Sequence, residues 1–196
     1  VSNFEFWINT LKKEGVRLWN RPDLVLWNMN KKYLLDLERE GIPIIPNVII
    51  PPGNINKIYD IAHQRGWNKV VIKPTVGASS YRTYLIDVDQ MRTHPAKGVS
   101  EALATELIVQ PYLPEIVSRG EYSFVFFDKK FSHAVLKTPN NGDFRTQPQY
   151  GGHESSVAPD SGLIAQATRV VMAIDGNLPY ARVDGVDFDG ELHLME

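Results

Sequence analysis

The 196-residue chain has 43% hydrophobic and 22% charged residues and a net charge of −2, a composition typical of a globular protein and unlike that of a disordered one. This charge gives no overall attraction to nucleic acid or an anionic membrane, and no apolar run approaches the roughly 20 residues that span a bilayer. The lack of cysteine excludes disulfides, thiolate metal sites and a cysteine nucleophile, and it agrees with a reducing, cytoplasmic location.

The amino-terminal third predicts helices joined by short extended segments. Apolar residues recur at helical spacing in three segments, 4–11, 30–39 and 55–62. Asn30 and Asn54 are suitable caps for the second and third helices. Between the helices, VRLWN and PIIPNVIIPPGN predict short strands, the second broken by prolines, and Pro22 opens a turn.

The middle of the chain predicts β-structure. Lys69 to Ile86 predicts a strand, a loop of small polar residues and a second strand. A short apolar strand over residues 107–110 stops at Pro111. EYSFVFFD and FSHAVLK then predict a β-hairpin that turns at Lys129 and Lys130.

A long polar segment, KTPNNGDFRTQPQYGGHESS, follows the hairpin. Loops of about twenty residues within a domain are usually functional or disordered. Next, an apolar stripe over residues 163–174 predicts a helix capped by Asp160 or Ser161. The last segment, YARVDGVDFDGELHLME, predicts a hairpin that ends at Glu196.

Four segments in this order and spacing resemble the ATP-grasp superfamily, in particular the branch with bacterial glutathione synthetase, ribosomal-protein glutamyl ligase and the cyclo-ligase that forms D-cycloserine. They are WNMNKKYLLDL, VVIKP, LIVQPYLPE and LHLME. The resemblance implies an α+β ATP-grasp fold in which two small lobes, residues 28–106 and 107–196, clasp Mg-ATP. It implies that residues 1–27 are the tail of a preceding α/β domain or a linker. We also expect the second lobe to be incomplete at its carboxyl end, so that the chain is a fragment of a longer protein.

Two lysines are the predicted phosphate ligands. Lys73 ends a strand of buried type, where an unpaired ammonium is costly, so a phosphate partner is a physical need as well as an implication of the resemblance. The alternative is a lysine that emerges into solvent. The resemblance gives the same role to Lys31, although Lys32 is adjacent and only one of the two can face the site.

The loop PTVGASSYRTY and the segment LIVQPYLPE complete the predicted nucleotide site. In the loop, Ser79 and Ser80 can donate hydrogen bonds to phosphates, with help from Gly77 and Arg82, although a simple polar turn is the alternative. The resemblance implies that a hinge reads the adenine edge with its backbone; the hinge residues are Gln110, Pro111, Tyr112 and Leu113. The ribose is then left to Glu115 or Glu121.

The polar segment carries the predicted catalytic residues. The resemblance implies that Lys137 and Arg145 line the γ-phosphate and acceptor side, together with an amide side chain and a glycine pair: Gln147 or Gln149, and Gly151-Gly152. We expect Arg145 to stabilise the charge that develops on an acyl phosphate and a tetrahedral intermediate.

Asp184 and Glu196 are the predicted magnesium ligands. With a two-residue turn at Asp189-Gly190, they would lie on opposite faces of the last hairpin. A three-residue loop that includes Phe188 would return them to one face, and nothing basic nearby would then offset their mutual repulsion. Asp187 is the competing ligand if the turn is tight.

The resemblance implies an ATP-dependent ligase that joins a carboxylate to an amine, or cyclises, through an acyl phosphate. The expected substrate is a small amino-acid-like molecule, with ATP and Mg²⁺ as cofactors and no nucleic-acid or membrane partner. The oligomeric state stays open. One alternative is a non-catalytic nucleotide-binding module of the same fold, and another is a polar-loop binding protein that takes no nucleotide.

Overall fold

Two antiparallel sheets with helices packed against them make up the fold, and the computed structural model describes residues 2–90 and 104–196. The helices in these ranges are α1 Ser2–Lys13, α2 Pro22–Met29, α3 Tyr33–Arg39, α4 Ile55–Gln64, α5 Pro114–Arg119 and α6 Ser161–Met172. The strands are β1 Val48–Ile50, β2 Lys69–Pro74, β3 Tyr84–Asp87, β4 Leu107–Pro111, β5 Glu121–Phe127, β6 Lys130–Thr138, β7 His153–Val157, β8 Tyr180–Phe188 and β9 Glu191–Leu194.

The first sheet has the strand order β1-β4-β2-β3 and is covered by α4. In β2, alternate residues such as Val70 and Ile72 are fully buried, as the period of a half-exposed strand requires. Ile58 and Ala62 of α4 pack against them. In β4, residues 107–110 are all buried, and Ile108 belongs to the core of the second sheet. The two cores therefore meet at β4.

The second sheet has the strand order β7-β6-β5-β8-β9 and packs against α2, α3 and α6. Phe124 and Phe126 of β5 lie at the centre of this core, where the apolar stripe of α6 meets them. The Asp160 side chain accepts a hydrogen bond from the Gly162 amide, which confirms the predicted cap. The β5–β6 hairpin is also confirmed, but it turns at Asp128 and Lys129, one residue earlier than predicted.

Other predictions of secondary structure were wrong, because contacts with distant parts of the chain decide the structure there. VRLWN forms no strand, since Val16 and Trp19 are exposed and the Arg17 guanidinium lies over the Trp19 ring. Pro22 begins α2, a helix whose apolar residues lack clear periodicity. The short helix α5 was not predicted. The polar segment contains β7, which pairs with β6 and so shortens the loop.

The α+β fold class is therefore confirmed. The lobe boundaries remain a prediction; β4, which follows the proposed boundary, pairs within the first sheet. No helix in the described ranges is both long and apolar enough to cross a membrane.

Candidate active site

Two adjoining cavities lie beside the strand ends. We call the first the hinge cavity; it has a volume of about 80 Å³ and lies among β2, the loop after it, the segment after β4, and residues 144–147. We call the second the large cavity; it has a volume of about 800 Å³. Five residues line both cavities: Lys31, Gly77, Ala78, Ser79 and Glu196. Because ligand pockets usually exceed roughly 300 Å³, a nucleotide in the hinge cavity must extend into its neighbour or displace a loop.

Lys31 lies at the junction of the two cavities. It is only 6% exposed, and its Nζ donates to the Gly77 carbonyl and to Glu196 Oε1, both at 2.6 Å. Its amide donates to the Thr75 carbonyl at 2.8 Å, which fixes this turn against the end of β2. Lys32 instead pairs with Glu106 at 2.8 Å and lines neither cavity. Lys31 is thus the lysine that faces the site.

Lys73 is a half-buried cation that lines the hinge cavity. Its ammonium forms no hydrogen bond or ion pair with any residue that the structure describes. Burial lowers the pKa of Lys73; the negative charge of Glu196 opposes this shift, and the positive charge of Lys31 adds to it. An anionic ligand here would supply the partner that the ammonium lacks.

The last hairpin brings Asp184 and Glu196 together through a β-bulge, which the alternation of residues along the strands did not predict. Phe188 pairs with Glu191, so the turn has two residues and the predicted three-residue loop is wrong. A β-bulge beyond β9 restores the parity: the amides of Met195 and Glu196 both donate to the Asp184 carbonyl, at 2.8 and 3.1 Å. Asp184 and Glu196 consequently both line the large cavity.

Asp187, the competing ligand, serves the turn instead. Its Oδ1 accepts a hydrogen bond from the Gly190 amide at 2.7 Å, and it lines neither cavity. Although the turn is tight, it therefore does not place Asp187 at the candidate site.

The expectation that nothing basic lies near the two carboxylates was also wrong. Arg182 Nε donates to both oxygens of Asp184, at 2.9 and 2.8 Å, and its NH2 group lies 2.7 Å from Oδ2. Burial would raise the pKa of Glu196, but Lys73 and Lys31 outweigh it and hold that pKa below its usual value. Both carboxylates are therefore neutralised by cations before any metal binds.

A buried ion network lies beneath the site. Lys137 Nζ lies 3.2 Å from Glu121 Oε1 and 3.4 Å from Asp184 Oδ1, and Thr146 donates to the other oxygen of Glu121 at 2.7 Å. Ser123 also donates a hydrogen bond to Asp184. Burial raises the pKa of Glu121, and the charge of Asp184 adds to this. Lys137 lines neither cavity and bridges the two carboxylates, and its predicted catalytic role stays a prediction.

The hinge offers the side chain of Gln110 as well as backbone groups to a ligand in the hinge cavity. Gln110 is 4% exposed, and its Nε2 is buried without a hydrogen-bond partner among the described residues, at the wall of the hinge cavity. The Tyr112 amide, however, continues the sheet by donating to the Lys69 carbonyl at 2.9 Å. Pro111 and Leu113 also line the cavity, and so does Glu121, whereas Glu115 does not.

Two loops meet over the hinge cavity. Ser79 and Ser80 both have a φ of 55°, in the left-handed region. Ser80 Oγ donates to Gln147 at 2.6 Å, and Gln149 donates to the Ser79 carbonyl at 3.2 Å. These contacts join the predicted phosphate loop to the polar segment.

Arg145 lies in the polar segment, lines the hinge cavity and has several side-chain contacts. It donates two hydrogen bonds to Asp143, at 3.0 and 2.7 Å, and its guanidinium lies 3.6 Å from the centroid of the Tyr150 ring. The segment also requires Gly152, since a Cβ there would lie 2.0 Å from the Thr146 carbonyl. Arg145 therefore makes specific contacts in a segment for which length and composition had left disorder open.

No family model matches the chain. The cycloserine biosynthesis protein DcsG of Streptomyces lavendulae is 32% identical to it over 130 residues, which are 62% of this chain and 42% of that protein. The chain thus spans less than half of this curated relative. The crystal structure of D-cycloserine synthetase DcsG superposes with a TM-score of 0.84 and 25% identity, covering 100% of this chain and 69% of that one.

Two further solved structures share the architecture. D-alanine–D-alanine ligase from Bacillus anthracis gives a TM-score of 0.71 at 19% identity, over 96% of this chain and 62% of its own. The ATP-grasp ligase PsnB, in a complex with a phosphomimetic minimal precursor, Mg and ADP, gives 0.66 at 16% identity, over 100% and 57%. The chain has the ATP-grasp fold. The resemblance inferred from the four motifs is therefore confirmed.

Within this ATP-grasp fold, sequence reasoning missed Arg182. It lies two residues before Asp184 on the same face of β8, so strand alternation could have revealed it. Thr146, which orients Glu121, carried no sequence signal because its role depends on how the polar segment folds.

Proposed function

We propose that the protein binds Mg-ATP across the two cavities and that the full-length protein is an ATP-dependent ligase of the carboxylate–amine or cyclising type. The observation that carries this proposal is Lys73, a half-buried ammonium without a partner among the described residues, beside Lys31 at the junction of the cavities. A triphosphate fits this pair of cations by charge. In this proposal Gln110 and the Leu113 backbone contact the adenine, and Ser79 and Ser80 contact phosphates.

The carboxylates suit magnesium. Asp184 and Glu196 offer hard oxygen ligands on one cavity wall, and Mg²⁺ is typically held by one or two carboxylates together with substrate phosphates and water. The described residues contain no group of three or more acidic, histidine or cysteine side chains that would hold a metal without such help. When bound, Mg²⁺ would neutralise phosphate oxygens and so favour phosphoryl transfer. Lys31 and Arg182, which now pair with the carboxylates, would be freed to face substrate.

The proposed reaction has two steps. An oxygen of the substrate carboxylate attacks the γ-phosphorus, the bond to the β-phosphate oxygen breaks, and ADP leaves. An amine or related nucleophile then attacks the acyl carbon; the bond to the phosphorylated oxygen breaks, inorganic phosphate leaves, and the nucleophile loses a proton. Such transfers depend on positioning and charge stabilisation more than on a protein nucleophile. Arg145 and Arg182 are the groups that we assign to the developing negative charge.

An amino-acid-like substrate is proposed because the relative DcsG is a cycloserine biosynthesis protein. The test is ADP release by the full-length protein with Mg²⁺, ATP and a panel of amino acids, compared with the Lys73→Ala variant. Acid-dependent ADP release that the variant lacks supports the ligase. Tight ATP binding without release under any condition supports the non-catalytic module, and the absence of nucleotide binding contradicts both.

A further inference from the structure

The large cavity has a strongly uneven lining. Its charged residues are Lys31, Arg182, Asp184 and Glu196, and they form two ion pairs at the end shared with the hinge cavity. The remaining lining comes mostly from apolar residues of α2, α6, the segment between α6 and β8, and the neighbouring strands. Val25, Trp27, Val170, Ile174 and Leu178 are among them. One end of the cavity is therefore ionic and the rest is apolar.

Beyond the ionic end, the side chains of Asn20, Asn28 and Tyr33 already have hydrogen-bond partners. The Asn20 side chain donates to the Tyr180 carbonyl at 2.9 Å and accepts from its amide at 3.4 Å. Tyr33 is buried and shares a hydrogen bond with Asn28. A charged or strongly polar ligand group placed here would lose its hydration without gaining a hydrogen-bond partner, which disfavours its binding.

At the ionic end, one cation keeps hydrogen-bonding capacity. The Arg182 side chain is 47% exposed, and its contacts to Asp184 use Nε and NH2, which leaves NH1 without a partner among the described residues. A carboxylate could bind there beside the phosphate end of the nucleotide, as planar guanidinium groups favour.

We propose that the large cavity binds an amino-acid-like acid with a large apolar side chain, its carboxylate at Arg182 and its side chain between α2 and α6. This inference rests on the proposed function, since it identifies the substrate class of the same ligase. The volume of about 800 Å³ readily holds a leucine- or phenylalanine-sized molecule. Small or charged amino acids would leave the apolar part empty or bring an unpaired charge into it.

The test measures acid-dependent ADP release by the full-length protein with phenylalanine, leucine, serine and glutamate, each as both enantiomers. We expect phenylalanine or leucine to give at least a tenfold higher kcat/KM than serine or glutamate. Val25→Trp narrows the apolar part and should raise KM for the preferred acid at least tenfold, with the ATP dissociation constant unchanged. Val117→Trp is the matched control, because Val117 is exposed on α5 and lines neither cavity.

A second variant keeps the inference testable if Val25→Trp does not fold. Val25→Lys places a cation at the same half-buried site of α2 and should shift the preference from leucine toward glutamate. If the full-length protein binds ATP but favours serine or glutamate, or if Val25→Trp leaves KM unchanged and Val25→Lys leaves the acid preference unchanged, the inference is overturned and the proposed function stands. If the protein binds no ATP, the proposed function itself fails.

Discussion

Replacing Lys73 by alanine is the perturbation with the most specific expected result. A charge-assisted hydrogen bond to phosphate contributes about 1.5 to 3 kcal/mol, so Lys73→Ala should weaken ATP binding by about 10- to 150-fold at neutral pH. The variant should fold normally, because the Lys73 side chain makes no hydrogen bond or ion pair within the described ranges. Lys69→Ala is the matched control, since Lys69 begins the same strand and is exposed.

Protonation of Lys73 gives a second measurement, made on the protein without the substitution. Burial lowers the pKa of Lys73 below its ordinary value of 10.5, and a bound phosphate would raise it again. ATP binding should therefore take up a proton at pH values above the pKa of the free protein, and affinity should fall as the pH rises through that pKa. Calorimetry in buffers of different ionisation enthalpy measures this uptake. Unchanged ATP affinity in Lys73→Ala, or equal losses in Lys69→Ala, would refute the reasoning.

Three further predictions concern the carboxylates and the polar segment. Arg145→Ala should lower kcat by about 10²-fold or more while changing the ATP dissociation constant little. Steady-state kinetics measures the first quantity and calorimetry the second, and an equal loss in both would contradict the assignment. Asp184→Asn should remove most of the tightening of ATP binding by Mg²⁺ in titrations with and without the metal; an intact Mg²⁺ effect would contradict its assignment. The hydrogen bonds from Arg145 lower the pKa of Asp143 to about 2, so this pair should survive acidification and be lost only as the pH falls through that value. An NMR titration of the Asp143 carboxyl carbon measures it, and a midpoint near the ordinary value of 3.8 would contradict the pairing.

Local pattern predicted much of the fold. The helical stripe of α6, the alternation in β2 and the β5–β6 hairpin each follow from spacing within one segment, and the structure contains all three. The same reasoning failed at VRLWN and at β7, because a strand exists only where another strand pairs with it. A single sequence does not state which strands will be neighbours.

The sequence predicted a site residue well where its role follows from its own position in one strand. Lys73 was expected to need an anionic partner from its place at a strand end, and its unpaired ammonium agrees with that reasoning. The way in which Asp184 and Glu196 reach the same face was not predictable, since it depends on a bulge at Met195 that no residue pattern in the sequence indicates. The bridging position of Lys137 likewise depends on three strands of the second sheet, β5, β6 and β8.

The most direct test of the central claim is a crystal structure of the full-length protein with a non-hydrolysable ATP analogue and Mg²⁺. The account predicts adenine at Gln110 and Leu113, phosphate oxygens within hydrogen-bond distance of Lys31 and Lys73, and magnesium at Asp184 and Glu196. A nucleotide bound elsewhere, or phosphates that leave Lys73 without a contact, would contradict it.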